Sequence, residues 1–275
     1  MMKQIKLFDP YTDKFEKIAI NRVLESNFWA SGSGNNNVKK FEERFSKYVN
    51  SKSSIAVNSG TAALNLTLSM YDIKNKEVIL PSLSFVATAN AILENGGIPK
   101  FADIDENTLC IDPKKISKLI SKKTKVILPV HFGGISSDLT EISKLCKDNK
   151  IKLIEDAAHA AGTSYKNNKI GSHGDLVCFS FHPVKNLAMP TGGLISINSK
   201  DHKKLSNILK EKRWCGITNR KGADYDVKAI GWNYYMNEFS AAIGLVQLKK
   251  LDNMNNKRKK IAEKYSNEIL LENKM

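Results

Sequence analysis

The chain predicts an α/β fold built on a mainly parallel sheet with helices on both faces. Two observations carry this. From about residue 53, short runs rich in Val and Ile alternate with segments whose apolar residues recur at helical spacing. Several of the runs also carry consecutive apolar residues, as in VIL, VILPV and LVCF, rather than apolar residues on every second position, as strands buried on both faces do.

In chain order, SSIAV, EVILP, IPKFADI, KVILPV, KLIED, LVCFSF and GLISI read as strands. Between them TAALNLTLSMY, FVATANAILENG, PKKISKLISKK and SDLTEISKLCKDN read as helices. Asp112, followed by Pro113, and Asp138 are placed as capping residues ahead of a first turn. Residues 1–50 form a separate region, an N-terminal helical segment with helices near 14–26 and 38–49. The Gly/Ser/Asn loop ASGSGNNN joins them as a candidate active-site loop. Residues 51–235 are the expected large α/β domain. Beyond about residue 200 the chain reads as predominantly helical, and 236–275 as connecting helices leading into an incomplete C-terminal domain. The chain stops within that helical segment.

Composition narrows the function classes only slightly. Of 43 basic residues in 275, five are arginine, and the lysines are spread along the chain, giving a net charge of +15. Nucleic-acid readers concentrate Arg and aromatic residues in patches, so this charge is read as a lysine-rich solvated surface and no nucleic-acid partner is expected. No segment reaches the roughly 20 continuous apolar residues of a membrane span, and the N-terminus lacks a signal-peptide core, so a cytoplasmic protein is expected. Cys110, Cys146, Cys178 and Cys215 stand far apart with no Cys-x-x-Cys pair, which argues against a zinc or redox motif.

Three strand ends carry candidate chemistry. Asn58-Ser59-Gly60-Thr61 lies between the strand SSIAV and a helix, where free backbone N–H groups and the helix dipole suit a phosphate. The other reading is an ordinary strand-to-helix turn, common in α/β folds, in which Ser59 or Thr61 is simply an N-cap. Glu155-Asp156 closes the strand KLIED, where a carboxylate points into the crevice that binds ligands in parallel sheets. Asp156 could hold the protonated nitrogen of a pyridoxal ring, ligate a metal with His159, or cap a helix. Lys185 follows LVCFSF after His182-Pro183-Val184, leaving the strand in an apolar, aromatic stretch. Desolvation there favours the neutral, nucleophilic amine, although a loop lysine can also snorkel to water.

Together these segments resemble the sugar aminotransferase family named after DegT, DnrJ, EryC1 and StrS, within the fold-type-I pyridoxal-phosphate enzymes. The resemblance runs from about Trp29-Ala30-Ser31-Gly32 to the end of the chain. It rests on Asn58-Ser59-Gly60-Thr61, the run 81–91 that contains Phe85, Pro129-Val130-His131-Phe132-Gly133-Gly134, Glu155-Asp156-Ala157-Ala158, Gly174-Asp175, Ser180-Phe181-His182 with Lys185-Asn186, and Gly231-Trp232-Asn233-Tyr234. It implies a PLP-dependent transferase fold and pyridoxal 5'-phosphate as cofactor, held as a Schiff base on Lys185. Asp156 would pair with the pyridine nitrogen, and Ser59, Gly60, Thr61 and Ser180 would hold the phosphate. Phe85 would stack on the ring and His159 would contact it. Asn233 would reach the partner subunit's site in a homodimer with shared active sites.

The implied reaction converts a nucleotide-diphosphate-linked keto-deoxysugar to the amino sugar. Glutamate is the expected donor, and surface polysaccharide or lipopolysaccharide synthesis the expected setting. Arg220 and the ASGSGNNN loop are candidates for diphosphate or sugar contacts. Two alternatives stand beside this reading: a regulatory or impaired relative lacking its closing domain, and a sugar dehydratase, against which Lys185 argues because that branch carries histidine there. The family's Gln is His159 here, and its Gly-Glu-Gly-Gly reads Pro190-Thr191-Gly192-Gly193.

Overall fold

The computed structural model describes residues 6, 8–30 and 36–272, without the side chains of 269–272. Two helices, α1 (Lys14–Glu25) and α2 (Asn37–Val49), precede the alternating region. There follow β1 (Ser53–Val57), α3 (Gly60–Leu68), β2 (Glu77–Pro81), α4 (Val86–Glu94), β3 (Ile98–Ala102), α5 (Pro113–Leu119), β4 (Thr124–Ile127), α6 (Leu139–Asp148) and β5 (Lys152–Asp156). A two-residue hairpin, β6 (Ser164–Tyr165) with β7 (Asn168–Lys169), leads to β8 (Leu176–Ser180) and β9 (Gly193–Ile197). The chain continues through α7 (His202–Arg213), a second hairpin of β10 (Ile217–Lys221) with β11 (Asp224–Val227), and α8 (Glu238–Glu272).

Each of the seven apolar runs forms a strand of one sheet, ordered β1-β9-β8-β5-β4-β2-β3. β3, β2, β4, β5 and β8 run parallel, whereas β9 is antiparallel to both of its neighbours, β8 and β1. Six strands therefore share one direction. The carboxyl ends of β1, β5 and β8 meet the amino end of β9 at a single edge.

Side-chain alternation along each strand assigns residues to one face or the other. Ile154, Cys178 and Ile195 join the core beneath α3 and α4, with Leu64, Leu66 and Ile92. Val177, Phe179 and Leu194 face Phe41, Phe45 and Val49 of α2, where Phe45 and Phe179 meet edge to face at 4.9 Å. Asp156 and Ser180 lie in step with Ile154 and Cys178, so they belong to the α3/α4 face. Glu155 lies on the other.

The N-terminal helix is anchored by polar groups. Asp13 caps α1 by accepting the Phe15 N–H at 2.8 Å, and Glu16 returns the bond from the Asp13 N–H at 2.9 Å, a reciprocal capping box. The buried Glu16 carboxylate also accepts from Lys250 Nζ at 2.7 Å and Gln247 Nε2 at 2.8 Å on α8. The β10–β11 hairpin departs from the sequence reading, which made the region after about 200 predominantly helical. The strands Ile217–Lys221 and Asp224–Val227 are polar and largely exposed, so no apolar period marks them. No helix of the described residues is long and apolar enough to cross a membrane.

Two substitutions test this packing. Phe45, fully buried between α2 and the sheet, is expected to cost about 3–5 kcal/mol as Phe45→Ala, read as a lower denaturation midpoint. Gly171 sits at φ +117, where a Cβ would lie 2.7 Å from Val49 Cβ. Gly171→Ala is therefore expected to destabilise by more than the ~1 kcal/mol that helix and loop Gly→Ala changes ordinarily shift. A midpoint equal to wild type would contradict the strain.

Candidate active site

The Asn58–Thr61 turn opens α3. Ser59 caps α3, its Oγ accepting the Ala62 N–H at 3.0 Å. The following first-turn N–H groups of Gly60 and Thr61 point out of the helix end without intrahelical partners, which leaves them available to an anion. A Cβ on Gly60 would lie 2.6 Å from Ser180 Cβ, and one on Gly193 would lie 2.2 Å from the Ser59 carbonyl oxygen. Glycine at both positions lets the ends of β1, β8 and β9 close into a backbone cradle. The turn is tied down further: Asn58 N–H donates to Tyr234 O at 2.8 Å, Asn58 Nδ2 to Asn233 O at 3.2 Å, and the Thr191 hydroxyl to Asn58 O.

Asp156 is buried at the end of β5. Its Oδ1 accepts the Ala158 N–H at 3.0 Å and its Oδ2 the Thr88 hydroxyl at 2.9 Å. Thr88 in turn bonds Ser84 Oγ at 2.6 Å. The amino end of α4 is thereby drawn over the carboxylate, and Phe85 at its N-cap stands 73% exposed. An aromatic ring left this open one turn from a buried acid suits stacking against a flat ligand. Among the described residues no group of three or more His, Cys, Asp or Glu is placed to hold a metal.

Lys185 lies in the β8–β9 connection, its N–H donating to His182 O at 2.8 Å. Burial pushes the amine below its ordinary range, and the Asp156 carboxylate opposes that shift. His159 is moved the same way. Burial and the Lys185 charge lower it while Asp156 raises it. The His159 Nδ1 accepts the Gly133 N–H at 3.3 Å, placing the ring proton on Nε2 as a neutral donor. Lys185, Asp156 and His159 thus share one electrostatic environment. A cleft of about 540 Å³ opens beside Lys185, lined among others by Tyr11 and Phe8 of the N-terminal segment and by Met254 and Arg258 of α8.

Not every candidate joins this cluster. Asn233 meets the turn through its backbone while its side chain is exposed. Arg220 lies on the β10–β11 hairpin, its Nε donating to Gly222 O at 3.2 Å. Positions 31–35 of the ASGSGNNN loop fall outside the described residues. Conversely, Thr88 meets Asp156 without having been selected from the sequence, and Thr191, marked there only as a departure from Gly-Glu-Gly-Gly, bonds Asn58 O. Thr88 sits within the run 81–91, but only the fold brings the first turn of α4 to Asp156, 68 residues away.

Residues 10–273 match the sequence profile of a family of aminotransferases. The chain is 39% identical over 262 residues to the spore coat polysaccharide biosynthesis protein SpsC of Bacillus subtilis, covering 93% of this chain and 67% of that one. It superposes with a TM-score of 0.90 on Helicobacter pylori PseC, an aminotransferase involved in the biosynthesis of pseudoaminic acid, at 33% identity over 96% of this chain and 70% of that one. The PLP form of the putative sugar aminotransferase Spr1654 from Streptococcus pneumoniae gives 0.91 at 27% identity, covering 96% and 71%. The chain spans about two thirds of the length of the curated relatives it matches. Sequence profile, relatives and fold agree: the chain belongs to the DegT/DnrJ/EryC1/StrS aminotransferase family.

Proposed function

We propose that this chain forms the cofactor-bearing part of a sugar aminotransferase, which moves an amino group from glutamate to a nucleotide-diphosphate-linked keto-deoxysugar for surface polysaccharide or lipopolysaccharide synthesis. The observation that carries the proposal is the meeting of a half-buried lysine, a buried strand-end carboxylate and a glycine-lined helix terminus at one sheet edge. The polysaccharide and amino-sugar roles printed for SpsC and PseC support the substrate class. Pyridoxal 5'-phosphate is the cofactor, and when bound it supplies the electron sink that lets the C–H bond beside the transferred nitrogen break.

The residues fit that group. The N–H groups of Gly60 and Thr61, with Ser180, would receive the phosphate. Asp156, fixed by Thr88 and Ala158, would hold a proton on the pyridine nitrogen. Phe85 would cover one face of the ring, and the neutral His159 would present its Nε2 proton at the ring edge. Lys185 Nζ would carry the cofactor and, once released by substrate, would take the proton from the substrate carbon and return it. Its depressed basicity keeps part of the amine neutral for that task. Asn233, with its side chain turned outward, would complete the site of a second copy in a homodimer that works in the cytoplasm.

Two measurements test this reading. Adding the cofactor to the protein is expected to raise a visible absorption band that glutamate bleaches and that Lys185→Ala lacks. A band of full intensity in that variant would remove Lys185 from its role. Loading should also rise with pH as Lys185 loses its proton, with a midpoint below the 10.5 of an ordinary lysine amine. Asp156→Asn removes the charge that favours the protonated amine, so it should move the midpoint lower still. A midpoint at or above 10.5 would contradict the desolvated setting.

A further inference from the structure

We infer that the buried pair Glu155–His131 is a positioning device for Asp156, a role that rests on the cofactor reading above. The pair lies on the sheet face opposite the site, with both side chains fully buried and His131 Nε2 at 2.8 Å from Glu155 Oε2. The Ser137 N–H donates to His131 Nδ1 at 3.1 Å, so the proton shared with Glu155 resides on Nε2. The second carboxylate oxygen of Glu155 accepts the Gly174 N–H. A Cβ at Gly174 would stand 2.6 Å from that oxygen, so position 174 is kept bare for it. His173, whose ring nitrogen Nδ1 is buried without a partner, closes the cluster on the same side.

Where these bonds end is what separates the pair from ordinary core packing. The regular β4–β5 ladder pairs only Val126 with Lys152 and Ile127 with Leu153, three residues short of Asp156. Beyond it, β5 is held on the β4 side by an isolated bridge between Val130 and Asp156. There the Asp156 N–H donates to Pro129 O at 2.9 Å and the His131 N–H to Asp156 O at 3.0 Å. The Glu155–His131 bond spans the same two segments directly behind these contacts. It clamps the strand end where the ladder no longer does. A buried ionic or charge-assisted pair is a poor source of net stability compared with apolar packing, whereas a displacement of about 1 Å at a reacting group can cost about a hundredfold in rate. Retaining such a pair behind the ring-nitrogen partner therefore fits placement better than stability.

The test uses Glu155→Gln, which keeps the side-chain volume and the acceptor for Gly174 but loses the charge-assisted bond, and His131→Gln, which disturbs the same bond from the other side. Ile127→Val, a buried change on the same strand pair, serves as the stability control. Cofactor affinity by absorption titration, the ratio of visible to near-ultraviolet cofactor bands, and the apoprotein melting midpoint are measured for each. The expected result is at least a tenfold weaker cofactor affinity with an altered band ratio in either pair variant, at melting midpoints no lower than the control's. Affinity within twofold of wild type and an unchanged band ratio would overturn the inference. So would failure of both pair variants to fold, which would make the pair a folding requirement only. A wild type that forms no band would overturn the cofactor reading and this inference together, an outcome distinct from either of those.

Discussion

The structure depends on one geometric constraint, the common direction of six strands around a single reversed one. Because β9 runs against β8 and β1, its first residue arrives at the same edge as the last residues of β1, β5 and β8. Gly193 can then press against the Ser59 carbonyl and Gly60 against Ser180, contacts that no side chain at either glycine would allow. The connection between β8 and β9 must turn back over that edge, and Lys185 lies in it. The lysine, the acid and the helix terminus are far apart in sequence. Strand polarity is what brings them together.

Electrostatics then refine what topology assembles. Lys185 is desolvated enough to favour the neutral amine, yet Asp156 lies near enough to pull the other way. The Asp156 carboxylate is itself occupied by two donors, Ala158 and Thr88, which fixes its orientation before any ligand arrives. His159, lowered by burial and by the lysine charge, adds a hydrogen-bond donor without adding a charge. In the proposed site a neutral His159 would offer its Nε2 proton.

Much of this was legible in the chain because buried strands announce themselves. Runs such as KVILPV and LVCFSF are too apolar to lie anywhere but between helical layers, and the polar residues that follow such runs stand out for that reason. The turn Asn58–Thr61 was legible as a helix start, but the packing of Gly60 against Ser180 was not, because it needs the end of β8 beside the turn. The contact of Thr88 with Asp156 was not legible, nor was that of Thr191 with Asn58, since both join residues far apart in the chain. The β10–β11 hairpin escaped because its strands, polar on both sides, carry no burial signal. Nor does local pattern distinguish the buried Glu155 from an exposed acid; its partner His131 lies 24 residues away.

The account stands or falls on which of the 38 lysines bears the cofactor. Reduction of the loaded protein with borohydride, followed by peptide mapping, fixes the cofactor to the amine that held it. The account predicts the label on Lys185, stoichiometric and confined to that peptide. Label distributed over surface lysines, or concentrated at any other residue, would contradict it.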